Sequence, residues 1–174
     1  VSEFTLANGM KFLVVSRPAQ ATVMGGWVAH VGSANERPGI TGVAHFFEHM
    51  MFKGSRIIGT QDAVRDQEIM VEQEKLQEQI RGEYATTSSD STIYFIPVPA
   101  NKVELWFWME SERLLQPVFR EFYSERDVVQ EERRLRVEST PTGRFDEQLN
   151  AMFWTAHPYK WDAIGWMSDL KTLS

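Results

Sequence analysis

The chain has 174 residues, 43% of them hydrophobic and 24% charged, with no cysteine and a net charge of −6. That composition suits one globular domain with a real core. It argues against disorder, removes disulfide staples and thiolate chemistry, and leaves any metal to His, Asp or Glu. Nucleic acid is a poor partner, because only "EERRLR" (131–136) approaches a basic patch, and its mixed signs read as a solvated helix face.

In chain order, "EFTLANGMKFLVVSR" (3–17) reads as a hairpin turning at Asn8-Gly9. "ATVMGGWVAHVGS" (21–33) reads as a third strand and leads into the loop "GSANERPGITG". A helix is predicted near 42–53, with Thr41 as its N-cap and Gly54 at its C′ position. Residues 61–82 are polar and helix-favouring, with a thin apolar stripe of Ile69, Leu76 and Ile80. "YATTSSDSTIYFIPVP" (84–99) reads as strand, turn, strand. Asn101 with Glu104 forms a capping-box pattern for a helix to about Leu115, ended by Pro117. Ser124 with Asp127 opens another helix to about Glu138, and a further helix begins near Gly143. This order predicts an α+β fold, an antiparallel sheet covered by helices, in a single domain over 1–174. No run is long and apolar enough to span a membrane.

The chemistry concentrates in "HFFEHMMFKG" (45–54). On a helix His45 and His49 lie one turn apart on one face, as two ligands of one zinc ion would. Glu48 sits beside them, placed to take a proton from a zinc-bound water, the arrangement of an HxxEH zinc site. A catalytic zinc needs a third protein ligand. In "SERDVVQEERR" (124–134), Glu125 and Glu132 are seven apart on a helical stripe with Val128 and Val129. Carboxylates on an apolar stripe are costly unless paired or bound to a cation. Glu132 is therefore the expected third ligand, and Glu125 a carboxylate that holds a ligand histidine or the water network. Met50, Met51, Phe46 and Phe47 read as core, and His30 as a structural or surface residue. Trp106, Phe107 and Trp108 are consecutive, so one or two are expected to pack under the sheet and another to meet a partner surface outside this chain.

These motifs resemble the pitrilysin/insulinase family of zinc peptidases almost end to end. The likeness is carried by "FTLANGMKFLVV", "VGSANERPGITGVAHFFEHMMFKGS", "TTSSDSTIYFIPVPANKVELWFWMESERLLQPVFREFYSERDVVQEERRLRVESTPTGR" and "AHPYKWDAIGWMSDLKTL". The resemblance implies zinc as cofactor on His45, His49 and Glu132, Glu48 as catalytic base, Glu125 in a supporting catalytic role, and a structural, turn-supporting role for His157. It implies a peptide substrate laid along the sheet edge at Ala85, Thr86, Thr87 and Ser88, and a second related half closing over the zinc, this chain being a first half truncated at its C-terminal end. Two features depart from the family pattern. Tyr84 stands where an asparagine is usual, and the double glycine before it is absent. The rival reading is a non-catalytic structural or peptide-binding subunit on the same fold, though such relatives usually lose part of HxxEH. A helical partner-binding domain with a chance motif would bind no metal. The bacterial character of the likeness favours the periplasm, with the cytoplasm open.

Overall fold

The computed structural model describes residues 1–57 and 85–174. The helix expected at 61–82 and the departure at Tyr84 lie outside the described residues. Strands β1 (Ser2–Thr5) and β2 (Lys11–Val14) form the expected hairpin. Its loop closes with the Leu6 N–H on the Met10 carbonyl, the Asn8 side chain accepts from the Met10 N–H, and Gly9 takes φ +88°. A left-handed φ costs glycine nothing, which is why the sequence signal worked. Strand β3 (Thr22–Ala29) does not extend the hairpin. It pairs antiparallel with β5 (Thr92–Pro99), which in turn pairs with β4 (Ala85–Thr87). Among the described residues there are thus two sheets, β1-β2 and β3-β5-β4, with β4 on an edge.

Helix α2 (Val103–Leu115) lies across the larger sheet. Gly25 makes this approach possible, because a Cβ there would come within 2.7 Å of the Trp106 ring. Trp27 stacks on Tyr94 at 4.1 Å and donates its indole N–H to the buried Glu110 carboxylate at 2.7 Å. Trp106 is the aromatic packed on the sheet, while Phe107 and Trp108 are exposed. The capping box expected at Asn101 and Glu104 does not form. A 3-10 turn, Ala100–Lys102, occupies the approach, and no side chain caps α2.

Helix α3 spans Phe122–Arg133 and continues as a π turn, Arg134–Glu138, so the helical segment ends where the sequence placed it. It begins earlier than expected. Ser124 lies inside the first turn and donates to the Glu121 carbonyl instead of capping. "EERRLR" is a solvated face at Glu131, Arg134, Leu135 and Arg136, but Arg133 within it is buried against Glu147 of helix α4 (Gly143–Phe153).

Helix α1 (Val43–Met50) is split lengthwise in role. Phe46 and Met50, one turn apart, join Val129, Val137, Ile164, Leu170 and Leu173 in the core. Each large apolar side chain buried there contributes about 1.5–3 kcal/mol. Met51 is buried too, whereas Phe47 is exposed and meets Phe119 edge-on. On α3 only Val129 is core; Val128 faces solvent, so the inferred stripe is narrower than drawn.

The start of α1 is also not as expected. Gly42, at φ +85°, takes the N-cap position, and Thr41 does not cap. The buried Glu36 carboxylate accepts from the N–H groups of Gly42 at 2.8 Å and Ala44 at 2.7 Å. Thr41 instead donates its hydroxyl to Asp169 of helix α5 (Met167–Thr172) and accepts from the Trp166 N–H. Asp169 also receives the N–H groups of Gly39 and Thr41. Gly42 and Gly165 cross backbone to backbone, and a Cβ on either would lie about 2.5 Å or less from the other strand of chain.

Candidate metal centre

The face of α1 opposite its core residues carries His45 and His49, whose rings meet at 79° with centroids 4.7 Å apart. Helix α3 packs alongside and brings in Glu132. Its Oε2 lies 3.4 Å from His49 Nε2 and 3.7 Å from His45 Nε2. One ligand atom from each of the three residues lies within 4.8 Å of the others. Ligands at about 2.0–2.2 Å from a tetrahedral zinc stand roughly 3.4 Å apart, so the Glu132–histidine separations fit zinc without rearrangement. Glu132 Oε2 is buried and accepts no hydrogen bond. A buried carboxylate oxygen turned toward two imidazole nitrogens is the acceptor a cation would satisfy.

The groups around the triad divide the work of holding it. Glu125, two turns before Glu132, binds His49 Nδ1 at 2.9 Å and is itself paired with Lys53. That contact fixes the ring and turns Nε2 toward Glu132. His45 Nδ1 has no such partner. Glu48 points into the same cleft, where the Thr87 hydroxyl donates to its carboxylate.

Burial drives His45 down to about 4, against the weaker pull of Glu132, which keeps its imidazole neutral and ligand-ready. Burial also lowers His49, but the carboxylates of Glu132 and Glu125 outweigh it and raise the ring. Glu132 is held below the usual carboxylate range, chiefly by His49. Glu125 is lowered as well, because Lys53 and His49 together overcome its burial. Glu48 moves the other way: burial raises it, and the Thr87 hydroxyl only partly offsets this.

The cleft, about 830 Å³, runs from this cluster along β4, with Ala85, Thr86 and Thr87 in its wall. Ser88 lies beyond the strand. Its N–H is bound to Ser91, and its carbonyl accepts from Ser33. Antiparallel ladders alternate, so with Ser88 turned toward β5, Thr86 is too. Among the described residues, the N–H and carbonyl of Ala85 and Thr87 then face the side of β4 that no strand covers. His30 stands exposed on the strand end, and His157 caps a 3-10 turn, Pro158–Lys160; neither lines the cleft.

Sequence reasoning missed five contributors: Glu36, Asp169, Thr87 as a partner of Glu48, Lys53 as a partner of Glu125, and Arg136, whose guanidinium holds Glu132 Oε1 at 2.9 Å. Only Lys53 and Arg136 carried a local signal, each four residues after a predicted ligand on a helix.

The insulinase family of peptidases, M16, matches residues 11–164. The chain belongs to that family. It is 32% identical over 171 residues to the zinc protease PqqE of Helicobacter pylori, covering 96% of this chain and 36% of that protein. It is 31% identical over 123 residues to human insulin-degrading enzyme, covering 71% of this chain and 11% of the enzyme. Among solved structures, a Helicobacter pylori protease superposes with a TM-score of 0.79 at 30% identity, over 99% of this chain and 40% of that one. The first half of the periplasmic protease PqqL of Escherichia coli shares the fold, with a TM-score of 0.78 at 23% identity, over 99% of this chain and 37% of that one. The chain therefore spans about a third of the Helicobacter relative and about a tenth of the human enzyme.

Proposed function

We propose that this chain carries the zinc ligands and the proton-transfer group of an endopeptidase that hydrolyses peptides or unfolded polypeptide segments. The observation that carries this reading is the buried Glu132 Oε2, which accepts no hydrogen bond and faces the two imidazoles, with Glu48 in the same cleft. His45, His49 and Glu132 would hold the ion. Zinc, when bound, supplies a Lewis acid that polarises the scissile carbonyl and acidifies water. Glu48, whose buried carboxylate has a raised proton affinity, takes the proton of the attacking water and delivers it to the leaving amine. The Thr87 hydroxyl aims that carboxylate. Glu125, anchored by Lys53, keeps His49 oriented.

Substrate adds as a strand on β4, through the backbone groups of Ala85 and Thr87 that point away from β5. Ser88, already committed to Ser91 and Ser33, takes no part. A related second half completes the enclosure of the peptide. Replacing Glu48→Gln in the full-length protein tests the assignment. Zinc content should stay near that of the parent while peptide hydrolysis falls at least about 100-fold. Undiminished hydrolysis would remove Glu48 from the mechanism. A parent that binds no zinc would favour the non-catalytic subunit.

A further inference from the structure

We propose that Arg136 is a positioning residue that makes Glu132 a one-oxygen ligand. The inference rests on the reading of Glu132 as the third ligand and adds what governs its geometry. The two oxygens of Glu132 have different surroundings. Oε1 receives the Arg136 guanidinium at 2.9 Å. Oε2 is buried, accepts no hydrogen bond, and faces His49 Nε2 at 3.4 Å and His45 Nε2 at 3.7 Å. A carboxylate with both oxygens free can swing so that both, or the wrong one, meet a cation. A charge-assisted bond to a planar guanidinium removes that freedom.

Arg136 reaches this oxygen because, four residues on, it lies only about 40° around the helix from Glu132; the backbone beyond it adds the rest of the cleft wall. In an unbroken α-helix, at about 100° per residue, Val137 would point roughly 140° away from Glu132. The helix instead opens into the π turn Arg134–Glu138, closed by the Ser139 N–H on the Arg134 carbonyl at 2.8 Å. Arg136, Val137 and Thr140 then all line the cleft together with Glu132. Isolated π turns inside helices concentrate at functional sites. An ordinary solvent-exposed i,i+4 pair would have both side chains in water. Here the Arg136 side chain is 65% exposed but that of Glu132 only 20%.

Two consequences of Arg136 oppose each other, so its removal has a diagnostic sign. As a positive charge beside a dication, Arg136 weakens metal binding by repulsion. As the anchor of Glu132, it strengthens binding by preorganisation. Loss of a group that orients a ligand typically costs 10- to 100-fold in metal affinity. The test uses the full-length protein and measures zinc affinity by competition with a chromophoric chelator. It compares the parent with Arg136→Met, Arg136→Lys and Glu132→Gln, and records the visible spectrum of the cobalt-substituted forms.

Arg136→Met should weaken zinc at least about tenfold. Arg136→Lys, which keeps one donor and the charge, should recover part of that loss. The cobalt bands of Arg136→Met should change in intensity as Glu132 takes a second binding mode. Equal or tighter zinc in Arg136→Met, with an unchanged cobalt spectrum, would overturn the inference. If Glu132→Gln leaves zinc affinity intact, or the parent binds no zinc, the metal-site reading itself falls and this inference falls with it.

Discussion

Replacing Glu36 tests how the metal helix is held. Glu36 is buried, and its carboxylate accepts the first free N–H groups of α1, those of Gly42 and Ala44. Burial pushes its pKa from 4.5 up to about 7, with the two backbone bonds and the charge of Asp169 as smaller influences. Loss of a helix cap costs about 0.5–2 kcal/mol. Glu36→Ala should therefore destabilise the chain by about 2 kcal/mol, the upper end, because one of the orphaned N–H groups is fully buried.

The sign of the pH dependence follows from the direction of the shift. Between about 4.5 and about 7 the folded chain holds the Glu36 proton more tightly than the unfolded chain does. Its contribution to stability is therefore greatest at the acid end and declines as pH rises through that window. At 1.36 kcal/mol per pH unit, the decline has an upper bound of about 3 kcal/mol. Glu36→Gln keeps one acceptor and cannot titrate. Urea unfolding of the parent and of Glu36→Gln, with chelator present and at intervals from pH 5 to pH 8, isolates the effect. The stability difference between the two should shrink as pH rises. Parallel curves across that range would refute the buried-carboxylate account.

Gly25→Ala should cost about 1–3 kcal/mol in urea unfolding, because its methyl would press on the Trp106 ring. Combining it with Trp106→Leu should recover part of that loss. Asp169 behaves oppositely to Glu36. Burial would raise it, but the donors of Thr41 and Gly39 outweigh this and hold it below 3.8. Its contribution is therefore present above about pH 4 and lost on further acidification. Asp169→Asn should lower stability by about 1 kcal/mol at pH 7, and unfolding curves at pH 3 should show that gap closing.

The metal cluster was legible because helical periodicity alone places His45 and His49 together, and because carboxylates seldom lie on an apolar helix face without a reason. Strand–turn–strand at 84–99 and the helix ends at Glu138 and Gly143 followed from local pattern as well. The misreadings share one cause. Thr41, Asn101 and Ser124 are all residue types that cap helices, but capping depends on where the first N–H groups point in three dimensions. At α1 that role went to a loop glutamate six residues before Gly42, while a distant aspartate claimed Thr41. Thr87 illustrates the same limit. Nothing near it in sequence announces that its hydroxyl meets Glu48, 39 residues earlier. The reading of "EERRLR" as a solvated face missed only the burial of Arg133 and the partial burial of Glu132, because charge pattern carries no burial information. Arg133 sits inside because Glu147 neutralises it.

The contact between the Thr41–Gly42 corner and the 162–170 segment has a consequence for the order of folding. Glu36 caps helix α1 locally, yet Thr41, just before it, is clamped by Asp169, 128 residues later. Closing so long a loop is slow relative to helix formation. His45 and His49 would thus be presented as a loose pair before the rest of the site exists. The Gly42–Gly165 crossing fixes the start of α1, while the core that Phe46 and Met50 share with Val129 holds the helix beside Glu132. The clamp on Thr41 is therefore complete only once the segment through Asp169 has been made.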